Sequence, residues 1–160
     1  MTQIETLLSR ALQDGSPIAI DSSALIAYFS DEELLAGLVG QVLESDALIL
    51  ISTITLSESL ARMIQLHGRA AAEKISVSLQ ESSSIYLAPF GTMQLVEAAE
   101  VRAETRLKLP DAAIVATARV AGAIGIIGND RAWKNKTLGI RYIHLDDVIR
   151  ELQSQEGSSQ

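Results

Sequence analysis

The sequence predicts an α/β fold: a three-layer α/β/α sandwich whose mainly parallel sheet has about five strands. Five short aliphatic runs are continuous rather than alternating, as in parallel strands that helices cover on both faces. The segments between these runs have helical features, and strands that alternate with helices form such sandwiches through right-handed crossovers. The predicted strands are residues 17–20, 47–52, 84–89, 123–128 and 140–145.

Helix boundaries are indicated by capping residues, glycine and proline. The motif TQIE at Thr2–Glu5 predicts a capping box for an N-terminal helix, and SDEE at Ser30–Glu33 predicts a second box. Gly68 is a plausible end for the amphipathic segment TITLSESLARMIQLH. Pro110 divides the long interval after the third strand, because proline disfavours helical geometry in the residue before it and can open a new helix. The two resulting helices are predicted at about 92–107 and 110–121.

Length and composition are those of one globular domain. The chain has 160 residues, 48% of them hydrophobic and 21% charged. The absence of cysteine excludes disulfides, thiol catalysis and cysteine–zinc sites. No apolar run is long enough to span a membrane, and the first residues lack the pattern of a signal peptide, so we expect a cytoplasmic protein. The net charge of −7 argues against binding nucleic acid through a broad basic face, but it is compatible with a nuclease whose carboxylates bind metal ions.

Four acidic residues are predicted to meet at the carboxyl edge of the sheet, where open parallel sheets bind ligands. Asp21 and Asp130 directly follow the first and fourth strands. Glu58 lies in the first turns of the helix after the second strand, and Asp111 opens the helix that leads into the fourth. Clustered carboxylates repel one another by about 1 kcal/mol per close pair even in water, and hard oxygen ligands favour Mg²⁺ or Mn²⁺. The four acids therefore predict a metal site.

Each acid taken singly also has a purely structural interpretation. Asp21 and Asp130 are suitable turn or N-cap residues, and Asp111 is a suitable N-cap. Glu58 is placed to pair with Arg62 one helical turn later.

Four motifs resemble those of the PIN domain family, and most closely the VapC-type toxin ribonucleases. They are IAIDSSALIAYF, SESLARM, LPDAAIVATARVAG and GNDRAW. The resemblance implies a PIN-like nuclease domain over residues 17–153. The N-terminal capping box predicts a helical extension at 1–16, and the polar composition of SQEGSSQ predicts a disordered tail at 154–160. The resemblance also implies Mg²⁺- or Mn²⁺-dependent cleavage of single-stranded RNA by Asp21, Glu58, Asp111 and Asp130, inhibition by a small antitoxin protein, and a homodimer. Gly128 stands where many members of the family have threonine or serine.

Several residues near the four acids are candidates for substrate binding or for support of the site, and each has a structural alternative. Ser22 and Ser23 are able to bond a phosphate or a metal-bound water, or to cap the helix that starts near residue 23. Asn129 is either a supporting residue or a turn residue. Trp133 is able to stack on a base or to fill the core. The candidate phosphate-binding cations are Arg102, Arg106, Arg131, Lys134 and Lys136, and the two histidines, His67 and His144, are expected to be structural.

The sequence is also compatible with two other functions. The first is a Mg²⁺-dependent phosphatase with Asp21 as nucleophile, although DSSAL lacks the second aspartate, two residues on, that would protonate the leaving group. The second is a non-catalytic PIN-like module that binds a partner protein. The homodimer has its own sequence argument, since one early helical segment carries more apolar residues than one buried face requires: Leu34, Leu35, Leu38 and Val39.

Overall fold

The sheet of the computed structural model, which describes residues 1–160, has five strands. All are parallel, and their order across the sheet is β3-β2-β1-β4-β5. Each strand lies inside its predicted run and begins or ends within two residues of it. The strands are β1 (Ile18–Ile20), β2 (Ile49–Ser52), β3 (Ile85–Ala88), β4 (Gly125–Gly128) and β5 (Tyr142–His144).

Helices cover both faces of the sheet, which confirms the predicted three-layer sandwich. Ile18 and Ile20 of β1 face one core, while Ala19 between them faces the other. The first core packs mainly against α1, α2, α3, α5 and α8, and the second against α6 and α7. The helices are α1 (Gln3–Asp14), α2 (Ser22–Tyr28), α3 (Glu33–Leu43), α4 (Thr53–His67), α5 (Arg69–Glu81), α6 (Thr92–Thr105), α7 (Leu109–Val120) and α8 (Leu145–Ser158), with a short 3-10 helix at Arg131–Trp133.

The strand order reverses between β1 and β4, which are neighbours in the sheet although far apart in sequence. Ile20 pairs with Ile127, and the N–H of Asp21 donates to the carbonyl of Ile127 at 3.0 Å. Asp21 therefore emerges beside Gly128 at the carboxyl edge. This is the position where open α/β sheets bind ligands.

Most helix boundaries agree with the sequence predictions, but one capping box does not form. The Thr2–Glu5 box is present, Gly68 ends α4, and Pro110 lies in the first turn of α7. The SDEE box is wrong, because Glu32 rather than Ser30 precedes α3 and makes no capping bond. Ser30 instead closes the end of α2 by donating from Oγ to the carbonyl of Ala27 at 2.6 Å.

Both ends of the chain are helical. The predicted extension forms α1, and its Ile4 and Leu7 are buried in the same core as β1 and β4. At the other end, α8 continues to Ser158 through most of the tail that the sequence predicts to be disordered. No glycine or proline interrupts α8 before Gly157, and the buried Val148 anchors its first half. None of the helices combines the length and the apolar character that crossing a membrane requires.

Candidate functional site

Asp21 is almost fully buried at the end of β1, and three hydrogen bonds fix its carboxylate. Its Oδ1 accepts from the N–H of Ala24 at 2.9 Å and from Oγ of Ser23 at 2.6 Å. Its Oδ2 accepts from the hydroxyl of Tyr142 at 3.2 Å. Asp21 is therefore the N-cap of α2, a role that the sequence assigned to either Asp21 or the two serines.

Burial controls the protonation of Asp21. Loss of hydration raises its pKa to about 6, and the nearby charge of Asp130 acts in the same direction. The hydrogen bonds from Ser23, Ala24 and Tyr142 oppose this shift, because they stabilise the carboxylate. The pKa of Tyr142 is raised by burial and by Asp21, so near neutral pH its hydroxyl keeps its proton and is a donor.

Asp111, Glu58 and Asp130 interact electrostatically at the same edge. Asp111 is the third residue of α7 and is only partly exposed. Burial raises the pKa of its carboxyl, and the neighbouring charges of Glu58 and then Asp130 raise it further. The indole N–H of Trp133 and the ammonium group of Lys108 lower it. The four acids thus lie at the edge where the sequence placed them. Asp111 interacts with Glu58 and Asp130, and Asp130 also interacts with Asp21.

Glu58 and Asp130 each accept a hydrogen bond from a residue at or near the start of a helix. Glu58 accepts from Oγ of Ser22 at 2.5 Å. The alternative pairing of Glu58 with Arg62 does not form, since Arg62 contacts Gln65 instead. Asp130 has the turn role that the sequence offered as its alternative, because its Oδ1 accepts from the N–H of Ala132 at 2.9 Å.

Ser22, Ser23 and Asn129 connect the segments that carry the acids. Ser23 donates to Asp21 and accepts from the N–H of Asn129 at 2.7 Å, so its hydroxyl links β1 to β4. Ser22 is bonded to Glu58. The Oδ1 atom of Asn129 is buried and has no hydrogen-bond partner. Asn129 and the serines therefore support the acids, and their contact with substrate stays a prediction.

The predicted cations lie around the acids rather than among them. Arg102 donates to the carbonyl of Leu107 at 3.3 Å, and Arg106 ends α6 in the left-handed conformation at φ 61°. Arg131 and Lys134 lie near Asp146 and Asp147, the acidic pair of α8. Lys108, which was not among the predicted cations, is the cation whose charge lowers the pKa of Asp111. Its position directly before the LPDA motif, three residues from Asp111, is the sequence feature that could have identified it.

Trp133 does not present a ring face to solvent. It is 2% exposed and packs against Tyr142, with ring centroids 5.3 Å apart. The prediction that it stacks on a base is therefore wrong, since the second core encloses the ring. Its Nε1 atom is buried without a hydrogen-bond partner, yet it is near enough to Asp111 to lower the pKa of that carboxyl.

Gly128 leaves the space that the Asp21 carboxylate occupies. A Cβ atom at this position would overlap Oδ2 of Asp21 and the hydroxyl of Tyr142. We expect Gly128→Ala to lower the free energy of unfolding by about 1–3 kcal/mol, the usual cost of overpacking. The measurement is urea denaturation.

Gly37→Ala is the matched control for this substitution. Gly37 lies inside α3 with nothing within 4 Å of its Cβ position, so alanine there should raise the free energy of unfolding by roughly 0.5–1 kcal/mol. Equal stability changes in the two variants would contradict the assignment of Gly128 as a close-approach position.

The residues fit a divalent metal by their chemistry. Four carboxylates supply hard oxygen donors, and a cation would relieve the repulsion of Asp111 by Glu58 and Asp130, which adds to the effect of burial on its pKa. The unpartnered polar atoms of Trp133 and Asn129 lie on residues that contact or adjoin these acids. No three acidic or histidine side chains are grouped closely enough to hold an ion in the present arrangement, in which both oxygens of Asp21 are hydrogen-bonded.

Solved structures of toxins share this fold. A toxin–antitoxin complex from Klebsiella pneumoniae has a chain with 22% identity and a TM-score of 0.61 over 80% of this chain and 97% of that one. VapBC2 from Rickettsia felis, bound to a DNA fragment from its promoter, gives 16% identity and a TM-score of 0.62 over 80% and 98%. VapC20 from Mycobacterium tuberculosis, described as a sarcin–ricin loop cleaving toxin, gives 18% identity and a TM-score of 0.59 over 71% and 89%.

The family itself is established by sequence. No curated protein matches the chain significantly. The family model for the PIN domain, however, matches residues 18–138, which is most of the sequence. The matched stretch includes all four acids at the carboxyl edge, and the sheet that carries them has the expected parallel topology. The chain therefore belongs to the PIN domain family.

Proposed function

We propose that the chain is a metal-dependent endoribonuclease that hydrolyses RNA phosphodiester bonds, and that it is the toxin of a toxin–antitoxin pair. The observation that carries this proposal is the interaction of Asp111 with Glu58 and Asp130, beside the buried Asp21. Carboxylates clustered with too few counter-charges repel one another, and metal-dependent phosphodiester hydrolysis requires such a cluster to hold its ions. Membership of the PIN domain family supports the same reaction class.

The mechanism assigns each acid a task that its contacts support. Mg²⁺ or Mn²⁺, held by these carboxylates, would activate a water and stabilise charge on the phosphate. Glu58, Asp111 and Asp130 are more accessible than the buried Asp21, and all four acids would hold the ion. Asp21 is fixed by three hydrogen bonds and sets the position of the site relative to the sheet. Ser22 orients Glu58.

Divalent metal should be required for cleavage. We expect a fluorescent single-stranded RNA to be cut in the presence of Mg²⁺ or Mn²⁺ and to stay intact in EDTA, with activity restored by excess Mn²⁺. Undiminished cleavage in EDTA would contradict the proposal. The RNA sequence that is cut is read from the ends of the products.

A non-catalytic PIN-like module is the second candidate, favoured by the absence of any three acids grouped to hold an ion. Thermal melting separates the two functions, because a ligand that binds the native state stabilises it by mass action. We expect millimolar Mn²⁺ to raise the melting temperature of the nuclease. A module without a metal site would show no shift.

We also propose that a small antitoxin protein inhibits this chain in the cytoplasm. Similar structures include toxin–antitoxin complexes, and an arginine or lysine of such a partner would be attracted to the carboxylates and compete with the ion. Co-expression with a neighbouring small reading frame is the test. If the protein is harmless when expressed alone and copurifies with nothing, the toxin role fails even where RNA cleavage is found.

The homodimer stays a proposal, with less support from α3 than the sequence suggested. Leu35, Leu38 and Val39 are buried in the first core, so they are not available to a second copy. Only Leu34 of that group is exposed, at 53%. Light scattering at micromolar concentration tests the dimer, and a mass of 17.2 kDa would contradict it.

A further inference from the structure

Tyr142 brings a hydroxyl to the carboxyl edge from the strand beside β4. It pairs with Ile126 in the sheet, and its ring extends past Gly128 toward the loop that follows β4. The ring is held by Trp133 on one side and by His144 at a centroid distance of 6.3 Å. The hydroxyl is therefore delivered by a rigid, largely buried aromatic group.

This hydroxyl contacts two of the four acids. The N–H of Asp130 donates to Oη of Tyr142 at 3.0 Å. Oη in turn lies 3.2 Å from Oδ2 of Asp21 and 3.3 Å from the carbonyl of Asp130. A phenol has one proton to donate, and the charged carboxylate is the stronger of its two acceptors. The proton therefore points to Asp21, while the backbone of Asp130 is fixed from the other side.

Gly128 makes this arrangement possible. Any side chain there would overlap both the Asp21 carboxylate and the Tyr142 hydroxyl. Gly128, Asp21 and Tyr142 form one packed unit. The Asp21 carboxylate occupies the space that a Cβ atom at position 128 would need, and the Tyr142 hydroxyl bonds to that carboxylate. A side chain at position 128, or the loss of the Tyr142 hydroxyl, should release the carboxylate of Asp21 from its observed position.

We propose that Tyr142 is a positioning residue of the site, which fixes Asp21 relative to Asp130 through its hydroxyl in the space left by Gly128. The inference rests on the proposed metal-dependent nuclease function. It makes Tyr142 a supporting residue outside the acidic motifs that the sequence revealed. Supporting residues of metal sites typically contribute 10–100-fold to metal affinity.

Tyr142→Phe tests this proposal, because it removes only the hydroxyl and keeps the ring packed on Trp133. We expect Mn²⁺ affinity, measured by the loss of the free-ion electron paramagnetic resonance signal, to fall roughly 10–100-fold. We also expect kcat for RNA cleavage to fall while KM stays near its wild-type value. The assays are run well below the metal-free melting temperature, so that a purely structural role would change neither quantity.

Tyr86→Phe is the matched control, since Tyr86 lies on the edge strand β3 with its side chain half exposed and far from the acids. It should leave Mn²⁺ affinity and kcat unchanged. Wild-type affinity in Tyr142→Phe would overturn the inference and leave the nuclease proposal intact. A wild-type chain that binds no Mn²⁺ would overturn both.

The double variant Gly128→Ala/Tyr142→Phe gives a second, independent outcome. Both single changes act on the same carboxylate, so their effects on Mn²⁺ affinity should be non-additive: the second change adds little once the first is made. Fully additive losses would show that Gly128 and Tyr142 act separately and would overturn the packed unit.

Discussion

Asp21→Asn and Asp111→Asn are each expected to abolish RNA cleavage while the domain stays folded. The amide nearly preserves the shape of the carboxylate but removes the charge that attracts a cation. Asp111 is already surrounded by Glu58 and Asp130, whose repulsion indicates a site built for positive charge. Cleavage is followed by gel electrophoresis of a labelled RNA, and folding by circular dichroism.

Asp46→Asn is the control for this pair, because Asp46 is exposed in the loop before β2, at the opposite end of the sheet. It should cleave RNA at the wild-type rate. Substantial activity in either Asp21→Asn or Asp111→Asn would contradict the proposed role of the acids.

Asp21→Asn is also expected to stabilise the metal-free protein above about pH 6, by an amount on the order of 3 kcal/mol. Burial raises the pKa of Asp21 from 3.8 to about 6, so in this interval the folded state binds more protons than the unfolded state. Stability contributed by this group is therefore lost as the pH rises from about 4 to about 6. The asparagine carries no charge and avoids this loss.

Urea denaturation in EDTA across this pH range measures the effect as the difference between variant and wild type. The difference should grow from about pH 4 to about pH 6 and then stay level. Burial lowers the pKa of His144, so this residue reduces the stability of the fold as the pH falls, which is the opposite of the effect of Asp21. Because His144 is present in both proteins, its contribution cancels in the difference. A variant less stable than wild type at pH 8 would show that the hydrogen bonds of the carboxylate outweigh its burial.

The location of the four acids was predictable because the parallel topology of the sheet determines which residues lie at its carboxyl edge. Continuous aliphatic runs located the parallel strands, and the carboxyl ends of parallel strands share one edge. The sequence alone therefore assigns Asp21, Glu58, Asp111 and Asp130 to one edge of the sheet. Their family motifs pointed to the same residues.

The contacts among these residues were not predictable, because they depend on strand order and register. Nothing in IRYIHL shows that Tyr142 lies beside β4 with its hydroxyl at Asp21. Trp133 lies three residues after Asp130, and the sequence could not decide between base stacking and the core; the 3-10 helix turns it into the core. The apolar residues of α3 looked surplus because the sequence could not show how α1 and α8 complete the first core.

A crystal grown with Mn²⁺ shows directly whether the four acids form a divalent-metal site. Anomalous difference density locates manganese without reference to activity. We expect a peak among the carboxylates of Asp21, Glu58, Asp111 and Asp130. Absence of a peak there, or a peak only at the acidic pair Asp146 and Asp147, would contradict this expectation.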